Sequence, residues 1–251
     1  LSKKEINKDT FDNLTKISTN VNNYNYARQY SVTKDFCIYL ISCGYKKIYY
    51  EEKRFKIINN YKPTIFNKQE LKKLFNEMDN YKYQNDEKKY LLNYTYSIIF
   101  RLIYACGLRI SEAIGITINN IEFDKNTIAI IDSKKHCSRL IVFSNSLKQC
   151  LIDYIKLCNV ENGLLFKNLQ GNAINKTALR DYYKKILKKA NLNLTAHIHD
   201  LRHCFANDAF NQMLEKGYDE NVVIIYLFKY MGHKSIRETE YYLHFTDYNR
   251  N

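Results

Sequence analysis

Pro63 is the only proline in 251 residues, and glycine occurs just seven times. Both residue types interrupt regular backbone, proline by lacking an N–H and crowding the preceding turn, glycine by its conformational freedom. A chain so poor in breakers is expected to run in long regular elements, with its main interruption at the proline. That residue lies in Asn59-Asn60-Tyr61-Lys62-Pro63-Thr64, which divides the sequence into an N-terminal domain, residues 1–62, and a larger domain, residues 63–251. At about 150 residues per domain, one large or two modest domains is the expectation from length. Hydrophobic residues make up 45% of the chain, enough for a core and too many for a disordered segment. Tyrosine supplies 23 of them, and its hydroxyl needs a polar partner wherever its ring is buried.

The clearest helix start follows the proline. Asn67 can cap, Glu70 completes a capping box, and Phe66 with Leu71 forms a hydrophobic staple. Leu71, Leu74, Phe75 and Met78 then recur at helical spacing on one face. Before the proline, Tyr26, Tyr30, Val32, Phe36, Tyr39 and Leu40 give residues 24–40 a helical period. A long apolar helix is predicted over 90–106, ending at Gly107. Residues 121–123, 127–131 and 139–143 read as three short strands, with turns at 125–126 and 133–138, hence a small antiparallel sheet. Helical patterning returns over 146–158, 176–190, 199–216, 221–230 and 235–244. Runs of helices around one small sheet predict a mostly α (α+β) fold.

Lys and Arg number 39 against 26 Asp and Glu, a net charge of +13. Residues 1–62 hold 12 basic and 6 acidic side chains, so the short domain is the denser in positive charge. Such a field attracts polyanions, nucleic acid first and an anionic membrane surface second. An AT-rich coding bias accounts for many lysines but not for the shortage of acidic residues. The chain shows no basic-then-apolar leader, and its longest apolar run, residues 97–108, is broken by Arg101. A cytoplasmic, nucleoid-associated protein without membrane contact is expected. Seven cysteines, at positions 37, 43, 106, 137, 150, 158 and 204, form no C-x-x-C pair and read as small buried hydrophobes in a reducing compartment. His199 and His203 have a spacing that could hold a metal, but no third ligand of suitable spacing accompanies them, so neither metal nor cofactor is expected. The chain opens on Leu1 rather than Met, which makes a truncated N-terminus a further expectation.

Four places set polar residues among apolar ones. Arg109 follows Gly107-Leu108, with Glu112 three residues on. Lys134, Lys135 and His136 occupy a hairpin tip, and His199, Arg202 and His203 share a helix start. His233 follows Gly232 and stands nine residues before Tyr242, itself next to Tyr241. Taken singly, each has an ordinary structural reading: a snorkelling arginine, a solvated turn, a capping or core histidine. Taken together, Gly107-Leu108-Arg109-Ile110-Ser111-Glu112-Ala113 and His199-Asp200-Leu201-Arg202-His203 resemble the two arginine boxes of the tyrosine recombinases, the phage-integrase family. Met231-Gly232-His233 and Tyr242-Leu243-His244 resemble that family's closing motif. The resemblance runs from about Pro63 to the C-terminus. Residues 1–62 resemble only loosely the family's helical core-binding domain.

The resemblance implies a small helical core-DNA-binding domain followed by a helical catalytic domain with a three-stranded antiparallel sheet. It implies a site-specific recombinase of a mobile element, acting on double-stranded DNA as a homotetramer on two sites. Tyr242 would attack the phosphodiester, forming a 3′-phosphotyrosyl bond and releasing a 5′-hydroxyl. Arg109 and Arg202 would clamp the non-bridging oxygens with planar, permanently charged forks. His199 and His233 would add hydrogen bonds, and Lys134, with Lys135 as the alternative, would protonate the leaving oxygen. Glu112 would orient Arg109 or His199. Because the bond energy stays in the protein–DNA link, neither ATP nor metal is required. Only nine residues follow Tyr242, so the tail that members dock on a neighbour is expected to be short or trimmed. The family's arm-binding domain is expected to be missing. Two other readings share the charge pattern: a type IB topoisomerase-like strand-passage enzyme, and a non-catalytic DNA-binding module. The Gly-Leu-Arg box and the compact size favour the recombinase over the first, and the complete set of Arg, Lys, His, Arg, His and Tyr argues against the second.

Overall fold

The computed structural model describes residues 5–15, 23–55, 62–80, 86–131 and 138–233. Backbone packing divides the chain into two units, Leu1–Lys62 and Pro63–Asn251.

The smaller unit pairs helix α1 (Lys8–Thr15) with helix α2 (Asn23–Ser42). Asn7 starts α1 by accepting the Thr10 N–H on its side-chain oxygen at 2.8 Å, a capping bond that the sequence reading missed along with the helix itself. Phe11, Tyr30 and Cys37 are buried, and the ring of Phe11 meets that of Tyr30 edge-on at 5.4 Å. Tyr30 satisfies its hydroxyl by donating to the Glu51 carbonyl at 2.9 Å. The buried line on α2 is Ala27, Tyr30 and Cys37, whereas Val32, Phe36 and Tyr39 are exposed. The helix carries two apolar stripes, and only the one facing α1 and residues 48–55 is covered within this unit.

In the larger unit, α3 (Lys68–Asn80) begins with a reciprocal capping box. The Asn67 N–H donates to Glu70 Oε2 at 2.8 Å, and the Glu70 N–H donates to Asn67 Oδ1 at 2.9 Å. Phe66 and Leu71 are both buried beside it. Helix α4 (Glu87–Cys106) starts three residues before the predicted 90 because Asp86 caps it, accepting from the Lys89 N–H at 3.0 Å. It is the core's axis: Ile98, Ile99, Phe100, Leu102 and Ile103 are almost fully buried. Arg101 escapes this core sideways and grips Asp79 through both carboxylate oxygens.

A short helix α5 (Ile110–Ile114), which the sequence reading did not anticipate, leads into a three-stranded antiparallel sheet of β1 (Ile121–Glu122), β2 (Thr127–Ile130) and β3 (Arg139–Val142), in that order. Ile128 pairs with Ile141 and Thr127 with Val142. Ile128, Ile130 and Ile141 point into the core, while Leu140 and Val142 are exposed. Asn126 supplies the positive φ of 52° in the first turn. Helices α6 (Asn145–Leu157), α7 (Lys176–Lys189), α8 (Ile198–Glu215) and α9 (Glu220–Met231) follow, each within a residue or two of its predicted span. Side chains of Ser144, Asn175 and Asp219 cap α6, α7 and α9. The helix predicted over 235–244 lies outside the described residues. Tyr182 and Tyr183 of α7 stack on Phe100 at 5.9 and 5.3 Å between ring centres. Helix α8 packs along α4, which brings the first turn of one beside the last turn of the other.

Cys37, Cys106 and Cys204 are buried as expected of small hydrophobes, but Cys43 is exposed, and Cys150 on α6 and Cys158 just past its end are half-buried. Cys137 lies outside the described residues. No described helix is long and apolar enough to cross a membrane.

Candidate active site

Three chain reversals converge at the C-terminal end of α4. The first is Gly107, which ends that helix in the left-handed region at φ 63°. A Cβ there would lie 2.4 Å from the Phe205 ring, so only glycine fits. After the buried Leu108, Arg109 stands in extended conformation just before α5, and Glu112 folds back to accept its backbone N–H on Oε2 at 2.8 Å. The second reversal is the start of α8, where Asp200 accepts the His197 N–H at 2.9 Å. One turn of this helix sets His199, Arg202 and His203 on a common face. The third is the end of α9, where Gly232 takes φ 62° and presents His233.

The first and third reversals expose helix carbonyls, and the two arginines of the motifs take them up. Arg202 is completely buried and donates to the Gly107 carbonyl and the Met231 carbonyl, each at 2.6 Å. Arg109 donates from Nη2 to the Gly232 carbonyl at 2.6 Å. The last carbonyls of a helix carry its partial negative charge, so two C-termini offset part of the cost of burying the guanidinium pair.

The rest of that offset is Glu112. Its Oε1 accepts from Arg109 Nη1 at 2.8 Å, and Arg202 Nη1 lies 3.7 Å from Oε2. Arg139, the first residue of β3, donates to both oxygens, at 3.0 and 2.8 Å. Burial alone would raise the carboxyl's pKa. The Arg139 hydrogen bonds, the Arg109 backbone N–H and the two positive charges more than reverse this, bringing it to about 2. Glu112 is thus a fixed anion among three arginines.

The histidines show the opposite balance. Burial, reinforced by Arg202 and Arg109, lowers His199 to about 4 and His233 to about 3. Burial, then His199 and Arg202, lowers His203 to about 3. The His199 and His203 rings meet edge-on at 5.0 Å. At neutral pH all three are uncharged imidazoles that can donate one hydrogen bond and accept one proton.

Of the residues singled out in the sequence, Arg109, Glu112, His199, Arg202 and His233 are therefore brought together. Lys134, Lys135, His136, Tyr241 and Tyr242 lie outside the described residues. Among the described residues no group of three or more His, Cys, Asp or Glu is arranged to hold a metal ion. Sequence reasoning missed Arg139, reading it only as the first residue of a strand. The signal was present: Arg139 is in phase with the inward Ile141, and an inward arginine on a half-buried strand needs an anion.

The sequence profile of the phage integrase family matches residues 65–248. Tyrosine recombinase XerC of Bacillus subtilis (strain 168) is 30% identical over 157 residues, which are 58% of this chain and 48% of that protein. The chain spans about half the length of the first curated relatives it matches. Among solved structures, the XerH site-specific recombinase bound to difH substrate, a pre-cleavage complex, superposes with a TM-score of 0.66. The match is 21% identical and covers 96% of this chain and 68% of that one. The Tn1549 transposon integrase in complex with circular intermediate DNA gives 0.62 at 16% identity, over 89% and 75% of the two chains. These two likenesses concern the fold.

Proposed function

Because the chain belongs to the phage integrase family, we propose that it is a site-specific DNA recombinase that cuts and rejoins strands through a 3′-phosphotyrosyl intermediate. The observation that carries this reading is the convergence of Arg109 and Arg202 with His199 and His233 around Glu112. A phosphodiester needs its growing equatorial charge met by fixed cations, and two guanidinium forks held by helix ends are preorganised for that task. The fold shared with recombinases solved on DNA supports the same reading.

In this mechanism the Tyr242 oxygen attacks phosphorus as the bond to the 5′-oxygen breaks. Arg109 and Arg202 hold the non-bridging oxygens with their guanidinium groups. His199 and His233, uncharged at neutral pH, hydrogen-bond the phosphate, and one of them can accept the tyrosine proton. Lys134, with Lys135 as the alternative, protonates the departing 5′-oxygen. Rejoining reverses these steps without ATP or metal.

Double-stranded DNA is the proposed substrate, supported by the net charge of +13. Residues 1–62 serve as the core-DNA-binding domain, residues 63–251 as the catalytic domain, and the active assembly is a homotetramer on two sites at the nucleoid of a cytoplasmic enzyme. The test is a duplex carrying a nick near the scissile phosphate, so that the freed end diffuses away. A protein–DNA band surviving denaturation, without ATP and in excess chelator, supports the proposal. Binding without any such band rejects it in favour of a DNA-binding module.

A further inference from the structure

Arg139 lies on a different element from either arginine box, yet it closes a ring of contacts through the first box and the Gly232 turn. Its guanidinium donates to both oxygens of Glu112 at 3.0 and 2.8 Å. Glu112 accepts from Arg109 Nη1 at 2.8 Å, and Arg109 Nη2 donates to the Gly232 carbonyl at 2.6 Å. Gly232 then packs back on Arg139, where an added Cβ would lie 3.1 Å from Nη1. The Arg139 side chain is 11% exposed and that of Glu112 is 14%, against 33% for Arg109. The inner pair is thus the more enclosed, and Arg109 is the member open to solvent.

We infer that Arg139 is a positioning residue for strand cleavage: by pinning both carboxylate oxygens of Glu112, it fixes the fork of Arg109 in its phosphate-binding orientation. A carboxylate bound at one oxygen can rotate about its last torsion. One held at both by a bidentate fork cannot, and the geometry it imposes on its other partner is correspondingly narrow. The Arg109 side chain donates to Glu112 and to a backbone carbonyl, and its direction depends on the first. Without Arg139, Glu112 is left with Arg109, whose backbone N–H meets Oε2 and whose Nη1 meets Oε1, and with Arg202 at 3.7 Å competing for Oε2. The charged and titratable groups facing Glu112 are Arg109 ahead of α5, Arg139 on β3, and Arg202 and His199 on α8.

This role rests on the proposed recombinase chemistry, so the test carries one readout that needs no DNA. Arg139→Met, Arg139→Lys, Glu112→Gln and the double variant E112Q/R139M are compared on the nicked duplex, with thermal melting and DNA affinity measured alongside. Arg139→Met is expected to slow adduct formation about 100-fold, the scale of a misplaced reactive group, with affinity changed by less than threefold. Arg139→Lys, which keeps the charge but not the fork, is expected to fall between it and the unaltered protein. The double variant is expected to be no slower than Glu112→Gln alone, because Arg139 acts through Glu112. Multiplied losses in the double variant, or unchanged rates in Arg139→Met, overturn the inference. Should Arg139→Met melt out, the lysine variant decides: a rate equal to that of the unaltered protein overturns it.

The independent readout is the Glu112 carboxyl, followed by carbon NMR over a pH titration of free protein. It is expected to titrate well above its unaltered position in Arg139→Met, and no movement overturns the inference. If the unaltered protein forms no adduct, the recombinase reading fails, while the carboxyl titration still decides whether Arg139 pins Glu112.

Discussion

Replacing Glu112 with Gln keeps the side chain's shape and an acceptor for the Arg109 backbone N–H, but removes the carboxylate shared by Arg109, Arg139 and Arg202. The carboxyl sits at about 2 instead of its ordinary 4.5. At about 1.4 kcal/mol per pH unit, that difference corresponds to about 3 kcal/mol held by the ionised form in the fold. The side chain is only 14% exposed, so solvent screening removes little of it. A carboxyl whose folded pKa lies below its unfolded one stabilises fully above pH 4.5 and progressively less as pH falls toward 2. Glu112→Gln is therefore expected to cost about 3 kcal/mol at pH 7 and less than half of that by pH 3. His199, His203 and His233 add a separate acid sensitivity to both proteins. Their lowered pKa values favour the neutral form in the fold, so stability falls as pH drops below 6.5. The comparison between the two proteins at each pH isolates Glu112. Urea unfolding at matched ionic strength between pH 3 and 7 measures it. A difference that is equal at both ends, or below about 0.5 kcal/mol at pH 7, would mean that the ionised Glu112 carboxylate does not stabilise the fold.

Gly107→Ala combines a left-handed backbone with a Cβ 2.4 Å from the Phe205 ring, so a loss of about 2–4 kcal/mol is expected in denaturant unfolding. Arg109→Ala is expected to slow cleavage by roughly 3–4 kcal/mol in barrier while leaving DNA affinity nearly intact, and parallel losses in gel-shift and cleavage assays would make it a binding residue instead. Arg202→Lys is expected to fail similarly, because one ammonium cannot span the Gly107 and Met231 carbonyls and still face a phosphate. Lys134→Ala is expected to regain cleavage on a substrate whose 5′-bridging oxygen is sulfur, which leaves without a proton; rescue of Lys135→Ala alone would move the acid by one residue.

Most of the larger unit was legible because its helices are capped and amphipathic. Asn67 with Glu70, Ser144, Asn175 and Asp219 each announce a start, and glycine announces two of the ends. Helix α2 was legible from its period, but Val32, Phe36 and Tyr39 have the same period as Ala27, Tyr30 and Cys37, and periodicity alone does not say which stripe meets a partner. Helix α5 was missed because five residues give too short a period to read. The site's arginines and histidines were legible from their spacing, but their electrostatics were not. That Glu112 serves three arginines, and that the histidines are neutral, depends on contacts between residues far apart in sequence, such as Arg139 with Glu112 and Arg202 with Met231.

In the proposed mechanism Tyr242 attacks a phosphate held by Arg109 and Arg202. Trapping the unaltered protein on a nicked duplex, digesting it and sequencing the DNA-linked peptide by mass spectrometry tests this directly. One adduct is expected, on Tyr242, lost in Tyr242→Phe and retained in Tyr241→Phe. A phosphotyrosyl link on Tyr241 or Tyr248, or intact DNA binding with no link at all, would contradict it.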